Sequence, residues 1–209
     1  MNVTRLILWP SIVTALVSLA RLIGEQTGWA TTASGGQGFW LGITWLPFLF
    51  GPLFAIVVAR SGSRPRFTPL WPIALLAVLA MAATIMWQFG PLIDAPQDDA
   101  TFERVRGGVI VIISVTAPLA LLLAWLWPRL AFVLLCYALP ARLFVLALTW
   151  FAKCMEYDSH YTKFGPPGIE RDMPSTMLSA TVAQLGFWVP FTIVAGFVSG
   201  SLFARRAPQ

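Results

Sequence analysis

Six apolar runs, each close to the length of a bilayer crossing, dominate this chain of 209 residues. They cover roughly residues 6–22, 39–59, 70–93, 109–127, 130–152 and 177–203. About twenty apolar residues cross the hydrocarbon core as a helix, which pairs every backbone N–H and C=O within one segment. A closed barrel solves the same problem with alternating strands, but these runs are continuous. With 57% hydrophobic and only 11% charged residues, there is too little polar surface to coat a soluble globule. The sequence therefore predicts an all-α, polytopic transmembrane bundle of six spans. It forms a single membrane domain over residues 1–209, with no separate soluble domain.

Charge then orients the bundle. Threading the six runs alternately puts Glu25, Asp94, Asp98, Asp99, Glu103, Glu156, Asp158, Glu170 and Asp172 on one face. The opposite face carries Arg5, Arg60, Arg64, Arg66, Arg129, Arg205 and Arg206 and no acid. Arg21, Arg104, Arg106, Lys153, Lys163 and Arg171 share the acidic side, which is net negative although the chain as a whole is +5. The basic balance thus reads as arginine held on the cytoplasmic side in short loops, with no nucleic-acid partner implied. Both termini are expected in the cytoplasm. Arg5 ahead of an apolar stretch ending in Ser18-Leu19-Ala20 has the outline of a signal peptide. A polar stripe crosses the would-be cleavage point, so the segment reads as a retained first helix. Cys136 and Cys154 would stand about 27 Å apart on a helix, too far for a disulfide.

The expected inner connections are short (residues 60–69 and Pro128-Arg129), and the outer ones longer, about 24–38, 94–108 and 153–176. Pro10 and Pro72 fall in first turns, whereas Pro47, Pro118, Pro140 and Pro190 read as central and kinking. They either splay the bundle around a small cavity or reflect the tolerance of membrane helices for proline. Gly196 and Gly200 form a GxxxG pair that admits a closely packed helix, internal or from another subunit. Trp9, Trp40, Trp71, Trp125, Trp127 and Trp150 lie near predicted helix ends, as an aromatic belt requires.

Three places could carry chemistry. Ser11, Thr14, Ser18, Arg21 and Glu25 are spaced 3, 4, 3 and 4 apart, one face of the first helix. The stripe should face the bundle interior or a wet cleft, with Arg21 and Glu25 paired at i,i+4. Arg142 falls midway along the fifth helix, where a charge costs several kcal/mol unless partnered. Its candidate partners are Gln184, Thr181, Thr116 or an anionic ligand; a clamp on carbonyls freed by a central proline is the competing reading. Cys154, Glu156, Asp158 and His160 alternate along the outer segment, and an extended chain would line them up as weak candidates for metal ligands. A Gly-rich stretch, Thr31–Gly38, could offer N–H groups to an anion. A single histidine excludes a bis-histidine haem, and HExxH, GxSxG and P-loop motifs are absent. The sequence thus points to a non-enzymatic protein with no cofactor.

Arg21-Leu22-Ile23-Gly24-Glu25, the stretch from Gly35-Gly36-Gln37-Gly38 through Trp45-Leu46-Pro47 to Phe50-Gly51-Pro52, and Ser159-His160-Tyr161 running to Pro166-Pro167 carry a resemblance. The chain resembles a group of small six-helix bacterial integral membrane proteins with no assigned activity. That resemblance implies the six-helix architecture and a bacterial inner (plasma) membrane, and transfers no site residue. Two functions are expected to compete. One is a subunit or interaction partner of a larger inner-membrane assembly, held by the lipid bilayer and a protein partner in the membrane or on the periplasmic side. The alternative is a small-solute binding or transport module, its outward-facing pocket formed by Arg142, Arg21, Glu25, Gln184 and Ser18.

Overall fold

The structure is a computed structural model that describes residues 2–32, 41–92, 98–163 and 171–204. Of the features singled out above, residues 33–40, Asp94, Glu170, Pro166-Pro167 and Arg205-Arg206 lie outside the described residues. Asn2 caps the first helix, accepting the Arg5 amide at 3.2 Å. The elements are α1 (Val3–Gln26), α2 (Leu46–Arg60), α3 (Trp71–Phe89), α4 (Asp99–Leu126), α5 (Pro128–Cys154), α6 (Met173–Thr181), a π-helical segment (Val182–Trp188) and α7 (Val189–Ala204). The described residues are helical and contain no strand. Five helical stretches are long and apolar enough to cross a membrane: Val3–Gln26, Trp71–Leu92, Ala100–Leu126, Pro128–Cys154 and Met173–Phe203.

Several boundaries differ from the apolar runs, and capping explains them. α4 begins at Asp99 rather than near 109, because Asp98 accepts the Thr101 amide at 2.8 Å and the charged residues 103–106 continue the helix. The last helix begins at Met173 rather than 177, capped by Asp172 on the Ser175 amide at 3.0 Å. α2 starts only at Leu46 and has 15 residues. Pro47 therefore sits in its first turn, where the missing N–H would have had no partner, so it is not a central kink. Pro118 and Pro140 lie inside helices as expected, and so does Pro52; Pro10, expected in a first turn, also lies inside, because α1 already begins at Val3.

α5 is the buried axis of the bundle. Leu130, Val133, Leu134, Tyr137 and Ala138 pack with Phe54 and Val58 of α2, Leu123 of α4, and Val194 and Phe197 of α7. Lipid is as apolar as these side chains, so close packing rather than the hydrophobic effect holds membrane helices together. α2 and α7 show this most directly. A Cβ on Gly51 would run into the carbonyl oxygen of Gly196, one on Gly196 into the Leu134 side chain, and one on Gly200 would stand 2.9 Å from the Gly51 carbonyl oxygen. The GxxxG face is thus consumed inside the chain.

One end of the bundle gathers the starts of α1, α3 and α5 and the finishes of α2 and α4. Here the Arg66 amide donates to the Leu126 carbonyl (2.8 Å), and the Trp127 indole donates to Ser63 Oγ (3.2 Å). At the other end, Arg171 just ahead of α6 lies 4.0 Å over the Phe102 ring of α4. α1, α2 and α5 all stop in the same way. The Trp29, Ser63 and Tyr157 amides reach back to the carbonyls of Gly24, Val58 and Ala152 at 2.8, 3.3 and 2.9 Å. This closure needs a left-handed residue one step earlier. Gly28 (φ 73°) and Gly62 (φ 84°) supply it without strain, and Glu156 (φ 55°) supplies it at the end of α5. That last reversal sends residues 157–163 back over the end of α1.

Candidate functional site

The polar stripe of α1 is buried, as its spacing predicts: Thr14 and Ser18 are 1% exposed, Arg21 6% and Glu25 5%. Thr14 meets the Tyr137 hydroxyl of α5 at 2.7 Å, and the Tyr161 hydroxyl donates to the Ser18 carbonyl at 3.0 Å. Glu25 is the hub. Arg21 Nε donates to its Oε1 at 2.9 Å, and the Ser159 hydroxyl and His160 amide donate to Oε2 at 2.6 and 3.2 Å. His160 Nδ1 lies 2.5 Å from Oε1. Four donors match the roughly four lone-pair sites of a carboxylate, so Glu25 is saturated. Burial holds the His160 imidazole below its ordinary value of 6.5 despite the Glu25 hydrogen bond, with the Arg21 charge adding to the depression. The ring is therefore neutral near pH 7, and Nδ1–H is the donor.

An exposed layer covers this latch. Lys163 Nζ bridges Asp158 Oδ1 at 2.8 Å and Thr32 Oγ1 at 2.9 Å, and Thr32 donates to Asp158 Oδ2 at 3.1 Å. The Lys163 hydrogen bond keeps the Asp158 carboxyl below the usual range. The alternate-position reading of the outer segment fails on backbone geometry. Cys154 is the last helical residue of α5, Glu156 is left-handed, Asp158 belongs to Lys163 and His160 to Glu25. Among the described residues no three His, Cys, Asp or Glu side chains converge as metal ligands would. Both cysteines are free, Cys154 exposed and Cys136 half-buried.

Arg142 is treated differently. It is 4% exposed, near the middle of α5, and faces the π-helical segment and the start of α7. Its Nη1 approaches Gln184 Oε1 at 3.5 Å and its Nη2 approaches Thr192 Oγ1 at 3.3 Å. Both lie at the long edge of hydrogen bonding. The guanidinium stands 5.0 Å over the Trp188 ring, a weak cation–π contact. Nε is buried and has no partner, and among the described residues no carboxylate pairs with this charge. The carbonyl clamp is likewise not formed among them. Of the expected partners Gln184 is present. Thr116 instead donates to its own Ile112 carbonyl at 2.7 Å. Trp188 packs edge-on against Phe187 and Phe191 (centroids 4.8 and 5.3 Å), and Phe191 against Phe48 at 6.4 Å.

The π turn is itself informative. This geometry is rare and tends to occur at functional sites. Here it carries Gln184 and Trp188 toward Arg142 on one side, while Gly186 lets the segment press against Ile113 of α4. The structure thus brings Arg142 and Gln184 together, and separately Arg21, Glu25 and Ser18, on two faces of α5. The two groups share no hydrogen bond among the described residues. Ser159, Tyr161, Trp188 and Thr192 were missed as members. Trp188 and Thr192 follow Gln184 at steps of four, a helical repeat readable in advance, whereas the fold-back that delivers Ser159 to Glu25 depends on the left-handed Glu156. No family model matches the chain, and no curated protein or solved structure matches it either.

Proposed function

We propose that this chain is a polytopic membrane protein that binds a small anionic solute at Arg142, as a binding or transport module without covalent chemistry. The observation that carries this reading is a buried guanidinium with long contacts, a partnerless Nε and no counter-charge among the described residues. A central arginine costs about 2.5–3.5 kcal/mol even on permissive insertion scales, and an anion would offset it. The burial of Arg142 argues against a partner helix supplying that charge sideways from the lipid. Two of the features that favour an assembly subunit, the GxxxG pair and part of the acidic outer surface, are engaged within the chain. Gly196 and Gly200 pack on α2 and α5, and Glu25 and Asp158 pair internally.

Six crossings belong to the same proposal. α2 is about 22 Å long at 1.5 Å per residue, short of a hydrocarbon core of about 30 Å. Yet Ile43 packs against the cluster of Leu22, Val145, Leu148, Ala152 and Tyr161, while Ser63, just past α2, meets Trp127 at the other end. These contacts support counting the segment from Ile43 onward as a sixth crossing. Taking the arginine-rich end as cytoplasmic puts both termini inside, and the resemblance to small bacterial membrane proteins supports an inner membrane.

Extraction in mild detergent followed by mass analysis of the co-purified material tests the function. The proposal expects a small anion retained by the wild-type protein and lost from Arg142→Met. A stoichiometric protein partner with no bound anion would instead revive the subunit reading and overturn this one.

A further inference from the structure

A groove of about 490 Å³ opens between the first turns of α1 and α5, lined by Val3, Pro128, Arg129 and Phe132. Three of its walls are apolar, and Phe132 is 57% exposed in the isolated chain. Among the described residues Arg129 is its only charge. Pro128 brings no N–H to the first turn of α5 and the Ala131 amide is taken by the Trp127 carbonyl at 3.1 Å, so the Arg129 side chain is what this turn offers a negative group. The surroundings reinforce that sign. Arg5, Arg60, Arg64, Arg66 and Arg129 cluster at this end, and the seven described acids all lie at the other. Arg66 is engaged over the Trp125 ring at 5.2 Å, so it does not compete for the groove.

We infer that this groove is a binding site for an anionic phospholipid. The phosphodiester meets Arg129 at the first turn of α5, and an acyl chain leaves along Val3 and Phe132 toward the lipid-facing surface. Charge complementarity selects the headgroup and the apolar walls select a tethered chain over a free ion. The site is independent of Arg142, which lies near the middle of the same helix and faces α7.

Nanodiscs containing mixed phosphatidylglycerol and phosphatidylcholine, followed by native mass spectrometry, test it. Wild type should release from the discs carrying phosphatidylglycerol in preference to phosphatidylcholine. Arg129→Gln should lose roughly fivefold of that preference, the worth of one basic residue near a charged surface. Arg60→Gln, at the same end but outside the groove, should keep it. Equal retention of phosphatidylglycerol by Arg129→Gln and wild type would overturn the assignment. So would equal retention of both lipids by wild type, or displacement of the lipid by inorganic phosphate alone.

Discussion

Arg21 and Arg142 are both buried in the same bundle, on helices that touch, yet the chain handles them in opposite ways. Arg21 is neutralised four residues away by Glu25, and that carboxylate is saturated by Ser159 and His160 as well. Arg142 has two neutral side chains at 3.3 and 3.5 Å, one ring face and an unpaired Nε. The first arrangement closes a circuit of charge and locks the 157–163 turn onto α1. The second leaves a positive site deep in the structure. A protein needing only stability would be expected to pair both or to replace both with apolar residues, because unpaired buried charge is costly. The contrast is what supports the proposed anion site at Arg142.

Substitutions sharpen that contrast. Glu25→Ala should have the largest effect, a loss of about 3–5 kcal/mol, because it strands Arg21 without its counter-charge. Thermal unfolding in detergent reads it, and Arg21→Met in the same background should recover part of the loss. Ser159→Ala removes a hydrogen bond to a charged group and should cost about 1.5–3 kcal/mol. His160 adds a pH dependence. Its folded-state value lies below the ordinary 6.5, so the unfolded chain binds more protons just below pH 6.5. Stability is complete above that pH and falls beneath it, by at most about 1.4 kcal/mol per pH unit. His160→Asn keeps a donor to Glu25 and should flatten the profile over that window. Arg142→Met should have the smallest effect on the ligand-free protein, no loss beyond about 1 kcal/mol or a small gain. A large destabilisation there would make Arg142 a structural clamp like Arg21.

Much of this was readable before any coordinates. The apolar runs predict helices because membrane-spanning chains have few alternatives, and the 3-4-3-4 spacing from Ser11 to Glu25 marks a face that is half-buried at Ser11 and buried from Thr14 to Glu25. Helix ends were harder. Asp98 and Asp172 look like loop acids until their caps on Thr101 and Ser175 are seen, so α4 and α6 start earlier than hydropathy suggests. The partners of Glu25 depend on a left-handed Glu156, a conformation that no local propensity favours. The π turn opposite Arg142 is a tertiary compromise, invisible to a helical repeat. Gln184 is legible as a polar residue on an apolar helix and Trp188 as its neighbour four residues on, whereas the approach of both to the guanidinium depends on the π turn.

The central proposal, that Arg142 binds an anion and is no second latch, is tested most directly by anion titration of thermal stability. Wild type and Arg142→Met would be compared with chloride, acetate and benzoate at constant ionic strength. Wild type should gain stability with at least one of these anions, approaching about 2.7 kcal/mol at a hundredfold excess over its dissociation constant, while Arg142→Met stays flat. No response in wild type, or the same response in both proteins, would contradict it.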